Sequence, residues 1–182
     1  MAEIERLPRE VFDAALRGEI ATIKNWLDQG GDPDQAIEQV FNHTYRPGTT
    51  LLMAAASRDR LDAVRLLIDH GADVNVRVPE GYRAGWSALI FAATTSCSVD
   101  CVEYLLARGA ETSGIVDGTR IICNKNAMLY DLLGSPRIVR MLLAKGLVLT
   151  TARFDNFFNY GSLEESAKKR ARYLRRDSRP DK

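Results

Sequence analysis

Two histidines and three cysteines are all that 182 residues offer for soft-metal or nucleophile chemistry. His70 precedes Gly71 at a helix end, where a cation suits the helix dipole, and His43 sits between periodic segments. Neither shows a Cys or Ser nucleophile partner in the sequence. Cys97, Cys101 and Cys123 are an odd number, which gives no disulfide framework. Cys97 and Cys101 stand four apart with no nearby His, so they read as small buried residues. No phosphate-binding glycine loop and no zinc spacing is present. Gly30–Asp34, "GGDPD", resembles the start of a calcium loop but lacks the remaining ligand positions. No catalytic residue, cofactor or metal is therefore expected, and the chain reads as a non-enzyme.

Long apolar runs are also missing. No window approaches the roughly 18 residues of a membrane helix, and the opening "MAEIERLPRE" has no apolar signal-peptide core. The expectation is an intracellular protein with no membrane partner, cytoplasmic, or nuclear if the host is eukaryotic. Apolar content of 46% and charged content of 27% suit a globular domain. The net charge of +1 is unevenly spread. Residues 168–182 hold eight Lys/Arg against two Asp, which leaves residues 1–167 at −5. An acidic body with a basic arm suggests an interaction segment.

What the sequence does have is repetition. In "LLMAAASRDRLDAVRLLIDHGADVN", Leu51–Asn75, a small-residue block is followed by Leu61, Val64, Leu67 and Ile68 at helical spacing. Gly71 then supplies a left-handed helix stop. The stretch predicts two short antiparallel helices, the first thin enough for close stacking. "VRLLIDHGAD" returns as "VEYLLARGAE", as "IKNWLDQGGD" and, more weakly, as "VRMLLAKGLV". In each copy a β-branched residue precedes a Gly by seven: Ile23/Gly30, Val64/Gly71, Val102/Gly109 and Val139/Gly146. The small pair recurs as Ala14-Ala15, Ala55-Ala56 and Ala92-Ala93, the last one residue farther from its β-branched partner. Matched internal spacing over four copies is the mark of a solenoid.

These residues resemble ankyrin repeats. "GTTLLMAAA" (Gly48–Ala56) and "GWSALIFAA" (Gly85–Ala93) fill the first half of the family pattern, with Leu51 and Ala88 at its Pro and Met53 and Ile90 at its His. Thr50 and Ser87 keep a hydroxyl suited to an N-cap. The glycines stand 41, 38 and 37 apart, against a family period of about 33. The extra residues fall where the family places hairpin fingers: "AIEQVFNHTYRPG", "VRVPEGYRAG" and "SGIVDGTRIICNK". Ile37, Val40 and Phe41 hint at a helical turn in the first. The last copy lacks the Ala pair, has Tyr130 and Asp131 there, and places Pro136 in the first turn of its second helix, as a degenerate cap would.

The expected fold is an all-α ankyrin-repeat solenoid of about four helix-turn-helix units, near 7–35, 48–78, 85–112 and 126–148, within a domain spanning 1–150. Segment 151–182 follows. Phe154, Phe157, Phe158 and Tyr160 are expected to cover the open end of the stack. Ser162 and Glu165 match a capping box that opens a basic C-terminal helix, with Leu163, Ala167, Ala171 and Leu174 on one stripe. The resemblance implies binding of another protein through the concave face and the fingers. On this chain that face implies Arg58, Trp86, Phe91, Thr94 and Thr95, and the fingers imply Tyr45, Arg46, Tyr82, Arg83, Arg120 and Lys125. Trp, Tyr and Arg together are the composition of interface hot spots. The alternative is a nucleic-acid-associated component, such as a ribonucleoprotein subunit, that meets phosphates through Lys168, Lys169, Arg170, Arg172, Arg175 and Arg176.

Overall fold

The computed structural model describes residues 6–39, 45, 47–81, 83–112 and 136–145. Within them the chain runs α1 (Arg9–Arg17), α2 (Ile20–Asp28), α3 (Leu51–Ser57), α4 (Leu61–Asp69), α5 (Ala88–Phe91), a π-helical turn (Ala92–Ser96), α6 (Val99–Ala107) and α7 (Pro136–Ala144). Helices pair as hairpins, α1 with α2, α3 with α4, and α5 with α6. The first members stack in one row, α1–α3–α5, and the second members follow in another, α2–α4–α6–α7. Among the described residues no strand forms. The architecture is the all-α solenoid expected from the repeats. The expected basic C-terminal helix, the aromatic cluster, the capping box, and Tyr130 and Asp131 lie outside the described residues. So do Val40 and Phe41, while Ile37 takes part in backbone pairing with Gly48 and Thr49.

The inner row is built on alanine. Ala14, Ala15, Ala54, Ala55, Ala56, Ala92 and Ala93 are all buried to within 1%. Without long side chains between them, α1, α3 and α5 approach closely, and the larger Phe12, Leu51, Leu52, Met53, Leu89 and Ile90 fill the spaces around the contact. Every residue of α3 is buried. The outer row contributes Ile23, Val64, Leu67, Val102, Leu105, Ile138 and Leu142 to the same core.

Caps follow local chemistry. Thr50 Oγ1 accepts from the Met53 amide at 3.3 Å, as an N-cap does. Ser98 Oγ does the same for Cys101 N at 3.2 Å. Ser87 holds the extended N-cap backbone of α5, but its hydroxyl makes no cap hydrogen bond, which corrects that expectation. Gly71 takes a φ of +93°, the left-handed residue just past α4.

The extra residue in the third copy is absorbed by the π-helical turn. α5 would otherwise have to shift its Ala pair out of line with Ala55 and Ala56. Widening the last turn instead keeps Ala92 and Ala93 in the stack and carries the surplus into Thr94–Ser96. The turn ends on Cys97 with a φ of +49°, left-handed like Gly18 and Asp59 at the matching turns of the first two units.

Units are stitched along both edges. Along the loop edge, the Asp34 carboxylate accepts the Asp73 amide at 2.9 and 3.1 Å. Asn75 Oδ1 accepts the Glu111 amide at 2.8 Å. Along the opposite edge, Arg60 Nε donates to the Leu16 carbonyl at 3.2 Å, and Ser96 Oγ donates to the Ala56 carbonyl at 2.9 Å. Ser98 Oγ donates to Asp59. Surface pairs such as Arg108–Asp69 at 3.2 Å and Arg77–Glu111 at 3.3 Å add little, because water screens them.

The first unit carries a matched exception. Trp26 occupies the place of Leu67 and Leu105, and Gly31 the place of Ala72 and Ala110. A Cβ on Gly31 would lie 2.3 Å from Trp26 Cε2, so the indole covers ground that a methyl takes in the other units. Gly31→Ala is expected to cost about 1–3 kcal/mol by overpacking. Adding Trp26→Leu should recover part of that loss, so the two changes are non-additive in a double-mutant cycle read by denaturant titration.

Asp34 supplies a pH test. Burial pushes its carboxyl above the ordinary range, Asp32 and Asp73 push the same way, and the Asp73 amide opposes them. A folded pKa above the unfolded one favours folding at low pH, and that contribution fades as pH rises through the carboxylate range. Asn performs the same bridging at residue 75. Asp34→Asn should therefore raise the Tm near neutral pH, with the gain vanishing at pH values below the carboxylate range.

Candidate functional site

The first insert shapes the inner side of the stack. Its base is closed by Ile37 N donating to Thr49 O at 3.0 Å and Gly48 N donating to Ile37 O at 2.9 Å, beside an antiparallel bridge between Ala36 and Thr50. Gly48 sits at φ +84°, and a Cβ there would lie 2.2 Å from Pro79 Cδ, so the second insert leans on the first. From this base Tyr45 reaches across to the far end of α3. Its ring meets Phe12 edge-on at 5.5 Å. Arg58 Nε donates to the Tyr45 hydroxyl at 3.3 Å, and that hydroxyl pairs with Ser57 Oγ at 2.9 Å. Ser57 donates onward to the Ala54 carbonyl at 2.7 Å. Tyr45 is only 2% exposed. It is a packing residue that seals the inner side between the first two units, not an exposed finger residue, which corrects the expectation.

The second insert is closed in the same manner. Val78 N donates to Trp86 O at 2.9 Å, and Gly85 N donates to Val78 O at 2.8 Å. At its base the Arg83 guanidinium lies 4.9 Å from the Trp86 ring and 5.0 Å from the Phe91 ring. Trp86 and Phe91 meet edge-on at 5.1 Å with planes 70° apart. Trp86 is half-buried against the core. Its Nε1 is shut off from solvent and meets no acceptor among the described residues.

The other expected contact residues divide clearly. Phe91 is fully buried and Thr94 is 7% exposed, with its hydroxyl donating to the Ile90 carbonyl at 2.7 Å. Both are core residues, because the inner-row helices bury the face that the resemblance implied was open. Arg58 and Thr95 are exposed. Arg46, Tyr82, Arg120, Lys125 and the basic residues Lys168, Lys169, Arg170, Arg172, Arg175 and Arg176 lie outside the described residues. Cys97 is exposed while Cys101 is buried, so only one of the two fits the expected buried pair. Burial pushes the Cys101 thiol up to about 11, and its Sγ donates to Asp59 Oδ1 at 3.4 Å.

Two features were missed from the sequence. Tyr45-Arg46-Pro47-Gly48 and Tyr82-Arg83-Ala84-Gly85 share the order Tyr-Arg-x-Gly, and Gly48 and Gly85 both take positive φ. The two insert bases thus share a sequence order and a left-handed glycine. On the outer row, Arg65 and Arg108 flank the Tyr104 ring at 5.5 and 4.9 Å. Helical spacing alone does not place residues of α4 against α6.

This geometry defines a class first: a stack of helix hairpins joined by long inserts, with an Arg–Trp pair at an insert base. A family model for ankyrin repeats (3 copies) matches residues 11–114. The match covers more than half of the chain, and the protein belongs to the ankyrin-repeat family. Ankyrin repeats are generally protein–protein interaction modules and the family is typically non-enzymatic. No curated protein sequence matches the chain.

The Tyr45 hydroxyl is the most direct test of the sealed inner side. Tyr45→Phe removes a buried hydroxyl but leaves Ser57 bonded to Ala54. The expected loss is about 1 kcal/mol in denaturant titration, with helix content unchanged by circular dichroism.

Proposed function

We propose that this chain is a non-enzymatic, intracellular binding module that recognises another protein through the bases of its inserts. The carrying observation is the half-buried Trp86 with Arg83 held against it. A rigid indole and a stacked guanidinium lose little side-chain freedom on binding, which favours affinity. Trp and Arg are also the residues over-represented in interface hot spots. The sealed inner side moves the reading away from the concave helices and onto the inserts. Long inserts support this, because helix stacking does not need them.

The test starts from a partner captured with the full chain as bait from its native cells, with nuclease treatment as a variable. Binding to the purified partner is then titrated. Trp86→Ala together with Tyr82→Ala should weaken binding by more than about 2 kcal/mol. The double variant should also lose less stability than Leu67→Ala, for which roughly 2–5 kcal/mol is expected. Glu103→Gln, an exposed change on the outer row, should leave affinity unchanged. Arg65 is unsuitable as that control because it stacks on Tyr104. A folded double variant that binds normally would refute the site, and loss of every partner on nuclease treatment would favour the nucleic-acid reading.

A further inference from the structure

The turns that join paired helices differ in how their charges are met. Each has a left-handed residue at its centre: Gly18, Asp59 and Cys97. In the first turn the flanking Arg17 and Glu19 pair with each other. In the third the flanks are Ser96 and Ser98, both neutral. In the second both flanks are arginine, Arg58 and Arg60. Asp59 between them is turned to the third unit, where it accepts from Ser98 Oγ and Cys101 Sγ. The two arginines lean the other way. Arg58 Nε donates at 3.3 Å to the hydroxyl of Tyr45, whose ring packs on Phe12. Arg60 Nε donates to the Leu16 carbonyl at 3.2 Å, and its stem lies over Gly18, where a Cβ would come within 3.0 Å of Arg60 Cδ. Phe12 and Leu16 stand about one helical turn apart on α1.

Each tether uses the Nε donor and leaves the donors on the two Nη atoms. Both residues are exposed. Neither has a carboxylate partner among the described residues. The other acids of the first two turns are taken, Asp13 and Glu19 by Arg17 and Asp62 by Arg65 at 3.9 Å. Two tethered guanidiniums without a counter-charge match one compact dianion. A carboxylate or a nucleic-acid phosphodiester brings a single charge to this spot, and the net −5 of residues 1–167 repels a long polyanion. A phosphorylated side chain brings roughly −1.5 to −2 and three strong acceptor oxygens, a group that arginine clusters recurrently read. We propose that Arg58 and Arg60 form a phosphate-binding site for a phosphorylated Ser or Thr of the protein partner. That the phosphate is carried by a protein rests on the binding-module reading above, while the site itself is separate from the Trp86 insert base.

The experiment follows the Nε–Hε signals of Arg58 and Arg60 by NMR in the full isotope-labelled chain. The probes are a short Gly/Ser peptide carrying one phosphoserine, the same peptide with Glu or plain Ser at that position, and an oligothymidylate. The phosphopeptide should shift both signals saturably and bind at least about threefold tighter than the Glu peptide. The Ser peptide should leave them unmoved, and inorganic phosphate should displace the phosphopeptide. Arg58→Gln and Arg60→Gln should each lower its affinity about fivefold or more, whereas Lys24→Gln, an equal charge lost from α2, should change it less than about twofold. If Arg60→Gln fails to fold for want of the Leu16 contact, Arg58→Gln carries the test, because Tyr45 keeps its bond to Ser57. Phosphatase treatment of the captured partner should weaken its binding to the native chain about fivefold or more, and should matter little to the Arg58→Gln chain. Equal affinity for the phosphoserine and Glu peptides, an equal loss with Lys24→Gln, or absence of a saturable shift would overturn the proposal. Tighter binding of the oligothymidylate would overturn it in favour of nucleic acid. A captured partner lost on Trp86→Ala yet unmoved by phosphatase and by Arg58→Gln would overturn the phosphate site alone and leave the binding-module reading standing.

Discussion

The close approach of α1, α3 and α5 over their alanines is the contact on which the rest of the molecule depends. Each unit alone is a pair of short helices, too short to be stable in water by propensity. Stacked, the pairs share one continuous core from Val11 to Leu142. The edge hydrogen bonds then fix how each unit sits on the one before. Asp34 and Asn75 do this along the loops, and Arg60, Ser96 and Ser98 do it along the turns. Stability in such a stack is approximately a sum of unit and neighbour contributions. The edge bonds between units therefore add to the neighbour contribution made by the shared core.

Much of this was legible in the residues. The Ala pairs, the β-branched residue seven before a Gly and the Gly-Ala-Asp turns are local signals, and they point to the family and to the helix pairing of the first three units. Even the one-residue offset before Val102 was visible as a number, and it became the π-helical turn at Ala92–Ser96. The contact face was much less legible. Helical periodicity says which residues share a side of one helix, but not what an insert lays over that side. Tyr45 illustrates the gap. It stands 12 residues before Ser57, and only the folded path of the insert brings the two hydroxyls within 2.9 Å. The burial of Phe91 and Thr94 is illegible for the same reason, because burial between units is a property of the stack.

Cations within the described units are largely engaged internally. Arg17 pairs with Glu19, Lys24 with Asp28 and Arg108 with Asp69, while Arg58 and Arg60 serve as internal donors. Arg83 rests on the Trp86 and Phe91 rings.

The Trp26–Gly31 pair bears on how such a chain can be rearranged. Repeats are often treated as interchangeable modules, to be duplicated, shuffled or averaged into a consensus. Here the two residues form one indivisible lesion-and-repair: a larger ring in the helix and a missing methyl in the turn, five positions apart. A recombination joint falling between them would leave either an indole with no room or a glycine with nothing to cover it. Exchange of the first unit therefore costs least when the crossover lies outside Trp26–Gly31, a restriction on module boundaries that no single-copy alignment of the other units would reveal.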